Sequence, residues 1–351
     1  MEKLKFDKEI WIGGRLVSEE SPVYIIAEAG VNHNGNVEFA KKMIDEAAGT
    51  GVDAVKFQAF RTTELILADV EKAPYQKKVT SADESQYEML KSLELTEDAN
   101  EELKDYCASR SITFLTTPFD SISLKEIKKL DLPAIKIAAT DLTNIKYLRE
   151  VAALDKPIIL SAGMCYMDEI KKALAAIYPI NRKVILLQCT ANYPIEDYEV
   201  NLKIIKEFQK EFDMLIGYSD HSQGIGASPY AVAMGAKVIE KHFTLSKELE
   251  GPDQRASVTV EELKKLVQEI RKVEVYMGKS EKMPTLSESF TRKSLQKYLV
   301  AQKEIKKGEI FTEEMITAKR TNGRGITAIY YDDVIGTIAD RDYKIDDIIG
   351  E

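Results

Sequence analysis

His221 and His242 end two apolar runs, LIGYSDH and KVIEKH, so that two imidazoles would meet on one rim if the runs are neighbouring strands. Two histidines completed by water or substrate oxygens suit a catalytic divalent ion, Mn²⁺ ahead of Mg²⁺ or Co²⁺, better than a structural zinc. Two histidines satisfied in hydrogen-bond networks are the plainer alternative. Lys56 and Lys136 lie inside AVKFQAF and AIKIAAT, where an unpaired ammonium is costly to bury. Each needs an anion. A bound phosphate or carboxylate, with Thr116, Ser161 and Ser219 close by in the order of the strands, meets that need; a structural pair with Glu28 or Asp141 also would. Glu28 and Asp141 are then free to orient water or substrate hydroxyls, or one of them neutralises a lysine.

All these residues sit where short apolar runs end. The runs span Val23 to Gly30, Ala54 to Phe60, Thr113 to Phe119, Ala134 to Thr140, Pro157 to Gly163, Val184 to Thr190, Leu215 to Ser222 and Lys237 to Thr244. Each is followed by a helix-period segment, the signature of βα units and a parallel sheet. Eight of them predict a closed (β/α)₈ TIM barrel, whose chemistry sits at the C-terminal strand ends. Apolar stripes such as Ala40, Met43, Ile44 and Ala47, or Ile170, Ala173, Leu174 and Ile177, should face the strands. Thr259 and Glu262 stand at capping-box spacing before a last helix that ends near Met277. Upstream, Ile10 and Ile12 flank Trp11 before Gly13-Gly14, a hairpin turn suited to plugging the bottom of the barrel.

The 351 residues exceed one barrel and leave room for an appendage. Residues 1–277 are read as the barrel with its hairpin, 278–290 as a polar linker and 291–351 as a small β-rich module with turns at Lys307-Gly308 and Asn322-Gly323. Arg320, in KRTNGRG, lies on a Gly-rich turn, where a solvated arginine is the ordinary reading. The loop from Arg61 to about Leu93 exceeds the usual connection of 2 to 6 residues and reads as a lid with a helical stretch from Ser85 to Leu93.

A net charge of -9 and a pI near 5.2 argue against nucleic acid or an anionic membrane as partner, since those surfaces demand basic patches. No membrane span or signal core is apparent. Cys107, Cys165 and Cys189 form no CxxC pair and read as free thiols of a reducing compartment, so a cytoplasmic address is expected.

The segments IAEAGVNHNGN, AVKFQAF, LTTPFD, KIAATDLTN, ILSAGM, LQCTANYP, GYSDHS, EKHFT and GPDQRAS resemble, in order, the motifs of the sialic acid synthase family, and KKGEIFTEEMITAKR resembles its C-terminal SAF or antifreeze-like domain. The resemblance implies condensation of phosphoenolpyruvate with an N-acetylmannosamine-type sugar and water to a nine-carbon 2-keto-3-deoxy acid, neuraminate or legionaminate, plus phosphate. It implies further that His221 and His242 bind the metal, that Glu28, Lys56, Lys136 and Asp141 serve the chemistry, and that Thr116, Ser161 and Ser219 help to hold phosphoenolpyruvate. Gln58, Tyr193 and Asp253 would recognise the sugar, with Arg320 arriving from the partner of a domain-swapped homodimer. Asp141 stands where the family often has glutamate and Ala139 where it often has serine, a hydroxyl that Thr140 would replace. An octulosonate- or heptulosonate-type synthase is the second enzyme reading, against which the SAF-like segment argues; a non-catalytic carbohydrate-binding protein is the third.

Overall fold

The computed structural model describes residues 3–72, 76–77 and 84–351. They form two compact units, Met1–Gly278 and Lys279–Glu351. The first begins with a hairpin, β1 (Glu9–Ile12) and β2 (Arg15–Ser18), and continues with eight parallel strands: β3 (Tyr24–Gly30), β4 (Ala54–Ala59), β5 (Thr113–Pro118), β6 (Ile135–Ile137), β7 (Ile158–Ser161), β8 (Val184–Gln188), β9 (Leu215–Asp220) and β10 (Val238–His242). Backbone ladders run β5-β4-β3-β10-β9-β8-β7-β6, and β5 and β6 lie side by side to complete the ring. This is the expected TIM-like barrel. Each predicted strand is present, although β6 is only three residues long before Ala139–Asp141 turns into a 3₁₀ helix.

Helices fill the intervals because the sequence both starts them and gives them one apolar side. The side chains of Asn36, Thr96, Asp120 and Asn144 each accept a backbone N–H of the first turn, and Thr259 with Glu262 forms the predicted capping box. Ala40, Met43, Ile44 and Ala47 are fully buried, as are Ala173, Leu174 and Ile177. Gln86–Leu93 is helical behind a Ser85–Glu88 capping box, and its Met89 and Leu93 join Val31 and Phe60 in a small cluster. Part of the long loop carrying this helix, residues 73–75 and 78–83, lies outside the described residues, so the expected lid is described only in part. Among the described residues no helix is long and apolar enough to cross a membrane.

Inside the barrel, apolar and polar layers separate along the axis. Tyr24, Ile26, Ala54, Leu115, Ile159, Ile185, Leu215 and Val238 cluster with Ile10, Ile12 and Val17 of the hairpin. The β1–β2 turn uses Gly13 and Gly14 at φ 56° and 80°, the left-handed region that such a tight hairpin turn requires. The hairpin is thus the expected plug, and each fully buried isoleucine in it contributes about 1.5–3 kcal/mol of apolar burial. Trp11, between them, points outward and is exposed.

The second unit pairs β11 (Lys297–Ala301) with β12 (Ile316–Arg320) in antiparallel register over a core of Leu299, Ala301, Ile305, Phe311 and Ile316. The stretch read as a linker is not wholly irregular: Leu286–Leu295 is a helix opened by a Thr285–Glu288 capping box, and it buries none of its residues. Its single short turn of amphipathic spacing was too weak an apolar period to stand out from a polar segment.

Gly217 is the one inward position of β9 without a side chain, and an added Cβ would lie 2.6 Å from the Val238 carbonyl oxygen and against the Leu187 side chain. Gly217→Ala should lower the stability of the barrel by about 1–3 kcal/mol through overpacking. Equilibrium denaturation checks this; an unchanged midpoint would show that β9 and β10 can separate at this level without loss.

Candidate active site

Side chains alternate across each strand, so Glu28, Lys56, Thr117, Lys136, Ser161, Ser219, Glu240 and His242 share the inward face near the C-terminal ends. They surround a chamber of about 70 Å³ that Gln58, Cys189, Tyr193 and His221 also line. Lys56 and Lys136 are both buried. The Lys56 Nζ lies 2.5 Å from Glu28 Oε2 and 3.7 Å from Glu240 Oε2 and donates to Thr117 Oγ1 at 2.7 Å. The Lys136 Nζ lies 3.6 Å from Glu240 Oε1 and donates to Ser161 Oγ at 2.8 Å. Ser219 Oγ donates to Glu240 Oε1 at 2.9 Å, and Gln58 Nε2 donates to Glu28 Oε1 at 3.2 Å. Two ammoniums and two carboxylates therefore form one ion-paired, formally neutral network.

The two carboxylates differ. Burial pushes Glu28 up to about 7 against the pull of Lys56. Burial also acts on Glu240, but Lys136 and Lys56 outweigh it and hold that group down to about 2. Lys136 is lowered by burial, with Glu240 opposing. Neighbouring carboxyls pushed apart in this way divide naturally into a proton carrier and a fixed charge.

The histidines meet on the rim as expected, with ring centroids 5.6 Å apart and the Tyr193 ring 4.2 Å from His221 and 5.4 Å from His242. Burial keeps both imidazoles neutral, lowering His221 to about 4 and His242 well below its ordinary value. His221 Nδ1 is 2.7 Å from the Thr190 carbonyl oxygen, a contact that requires the proton on Nδ1 and leaves the Nε2 lone pair toward the chamber. His242 Nδ1 is buried without a hydrogen-bond partner and lies 4.0 Å from Asp253 Oδ2. Neutral rings with available nitrogens fit a divalent cation. Among the described residues no group of three or more His, Cys, Asp or Glu forms a cage, so such an ion would draw its other ligands from water or substrate.

Two assignments need correction. Thr116 does not face the chamber: its hydroxyl donates outward to the Phe57 carbonyl at 3.3 Å, because Leu115 and Thr117 occupy the inward positions of β5, and Thr117 takes the place beside Lys56. Asp141 does not line the chamber, since the 3₁₀ turn after β6 presents Ala138 and Ala139 there; its carboxyl, raised to about 6 by burial, lies 3.4 Å from Thr140 Oγ1. Of the two carboxylates offered as structural partners, Glu28 pairs with Lys56, and Asp141 does not supply a pair for Lys136. Glu240 does so instead, a group the sequence places on a strand end but whose bridging position only its parity with His242 could have signalled. Asp253 is buried, with its carboxyl raised to about 6 by burial. Arg320 is exposed at the end of β12 in the second unit.

Residues 43–282 match the NeuB family and residues 296–350 the SAF domain. The chain is 46% identical to the N,N'-diacetyllegionaminic acid synthase of Campylobacter jejuni over 93% of this chain and 98% of that one. It is 36% identical to the N-acetylneuraminate-9-phosphate synthase of Homo sapiens over 89% and 87%. The crystal structure of an N-acetylneuraminic acid synthetase from Leptospira borgpetersenii in complex with citrate superposes with a TM-score of 0.73 at 34% identity, covering 83% of this chain and 98% of that one. A barrel of this order with an appended SAF domain, matched over most of its length by legionaminic acid and N-acetylneuraminate-9-phosphate synthases, makes the chain a member of the NeuB family.

Proposed function

We propose that the chain condenses phosphoenolpyruvate with a 6-deoxy diacetamido sugar and water, giving a legionaminate-type 2-keto-3-deoxy acid and phosphate. The observation that carries the reading is the chamber itself, where Lys56 and Lys136 are ringed by the Thr117, Ser161 and Ser219 hydroxyls and face two neutral imidazoles. The choice of sugar leans on the 46% identity to a legionaminic acid synthase against 36% to a neuraminate-9-phosphate synthase. N-acetylmannosamine, giving neuraminate, is the second reading. The SAF domain favours either over an octulosonate- or heptulosonate-type synthase.

In this mechanism the two ammoniums and three hydroxyls hold the phosphate and carboxylate of phosphoenolpyruvate. Carbon 3 forms the new bond to the sugar aldehyde carbon, water adds at carbon 2, and the bond from carbon 2 to the phosphate oxygen breaks. Lys56 and Lys136 offset the charge of the tetrahedral intermediate. Glu28, poised near neutrality, takes the proton of the attacking water, while ionised Glu240 fixes both lysines. Asp141, outside the chamber lining, is left to support the Thr140 turn. A divalent cation held by His221 and His242, Mn²⁺ ahead of Mg²⁺ or Co²⁺, would supply Lewis-acid polarisation of the aldehyde. Gln58, Tyr193 and Asp253 recognise the sugar. Arg320 reaches it from a second copy with exchanged C-terminal units; the exposed Leu286 and Phe290 on the first helix of the second unit are apolar surface that a partner would cover. The three free thiols suit a cytoplasmic reaction.

Purified protein incubated with phosphoenolpyruvate, Mn²⁺ and each candidate sugar should release phosphate and yield its largest mass-identified product with the 6-deoxy diacetamido sugar. Phosphate release with a phosphorylated aldose alone would move the chain to the octulosonate or heptulosonate class, and none with any sugar would favour a binding protein.

Exhaustive chelation should abolish turnover and Mn²⁺ should restore it. His221→Ala and His242→Ala should each lower kcat by more than the roughly hundredfold loss typical of an outer-shell metal partner, with circular dichroism unchanged. Retained activity in either variant would return the histidines to a structural role.

Exchange of C-terminal units is tested by complementation. Arg320→Ala and His221→Ala homodimers should each be severely impaired, and random pairing should restore up to about a quarter of wild-type sites in the mixture. A mixture whose heterodimer is confirmed by mass but whose rate stays at that of the separate mutants would show that Arg320 serves its own barrel.

A further inference from the structure

Asn32 lies in the loop after β3, fully buried and outside the chamber lining, yet it is tied to the loop on the other side of the barrel seam, after β10. Its Nδ2 uses both protons there, donating to the Phe243 carbonyl and to Ser257 Oγ, each at 2.9 Å. Ser257 Oγ passes its own proton to the Asp253 carbonyl at 2.7 Å. Gln254 Nε2 returns to the backbone carbonyl of Asn32 at 2.9 Å, while Thr244 Oγ1 donates to Gln254 Oε1. Within this latch the Asp253 carboxylate accepts no hydrogen bond from a described residue; its nearest charged or titratable contact is His242 Nδ1 at 4.0 Å.

We propose that Asn32 is a positioning residue, whose side-chain amide through Ser257 and the Phe243 carbonyl fixes the loop that holds the Asp253 carboxylate beside His242. The requirement is for two donors on one atom in a site closed to water, which asparagine meets and aspartate, alanine or serine does not. Loss of the amide leaves the Ser257 hydroxyl and the Phe243 carbonyl buried with a partner missing, and the loop relaxes to recover it. The kinetic consequence rests on the role given above to Asp253 in recognising the sugar; the structural consequence does not.

Asn32→Ala and Ser257→Ala test it together, the second removing only one oxygen and so sparing the fold if the first does not. Hydrogen exchange of residues 246–257 should quicken by about tenfold or more in both variants while residues 184–188 of β8 keep their protection; unchanged exchange at 246–257 overturns the latch. In steady-state kinetics the sugar KM should rise about tenfold with the phosphoenolpyruvate KM within about twofold of wild type, and the double variant should be no worse than the poorer single one because both changes break one chain of contacts. A parallel rise in both KM values, or effects that multiply, would show a general loss of structure or two independent roles and overturn the proposal. If the wild-type protein turns over no sugar, the functional reading falls and the exchange experiment alone still decides whether Asn32 holds the loop.

Discussion

An ammonium inside an apolar barrel survives only beside compensating charge, because the transfer of an isolated ion out of water costs more than any single hydrogen bond returns. Lys56 and Lys136 are buried to that degree, and the strands around them are arranged to answer both. Glu28 comes from the strand next to β4, and Glu240 from β10, far enough around the ring to stand 3.7 Å from one lysine and 3.6 Å from the other. Removing any one of the four leaves an uncompensated charge in the core. The network therefore constrains strand order and register as much as it serves a ligand.

Strand parity carries that constraint through the barrel. One residue of slip in β10 would turn Glu240 and His242 to the helices and bring Lys241 inward. A second buried pair on the outer face opposes such a slip: Lys241 Nζ lies 3.3 Å from Asp220 Oδ2, directly across the β9–β10 ladder, and Asp220 accepts further bonds from the Ser222 and Ser228 backbone and hydroxyl groups. Each partner immediately precedes a rim histidine. The inward network and the outward pair thus agree on one register, and the hairpin below supplies the apolar floor that keeps water from entering under the charges.

The same parity explains how far the sequence could be read. The eight runs, the capped helices and the glycine hairpin were legible because each rests on local periodicity or turn chemistry. Lys56 and Lys136 announced themselves as charges in apolar surroundings. Choosing Thr116 over Thr117 needed the facing direction of β5, and TT offers no contrast between its two sides; only the common inward side of Leu115 and Thr117 settles it. Asp141 was read at the end of the fourth strand, but the strand stops at Ile137 and the 3₁₀ turn carries the carboxylate off the chamber wall. Glu240 was visible as a strand-end residue whose parity with His242 turns it inward, yet its two partners lie over a hundred positions upstream. The helix at Leu286–Leu295 had a local signal, Thr285 with Glu288, that its short apolar period masked.

A neutral network of two lysines and two carboxylates has no spare positive charge for an anionic substrate, and the chain as a whole is acidic, so long-range attraction will not bring one in. An anion such as the phosphoenolpyruvate we propose enters only if charge balance shifts locally. Glu240 is held too firmly ionised to change. Glu28 is the group that can yield, since burial already favours its protonated form; once neutral, it releases the Lys56 ammonium to a phosphate or carboxylate oxygen. The cation we propose for His221 and His242 would add positive charge on the neighbouring strands, where His242 stands beside Glu28 in the β3–β10 ladder. On this account the Glu28–Lys56 pair is the resting form of the anion site, and the proton that Glu28 gains as substrate enters makes it unable to act as a base until that proton moves on.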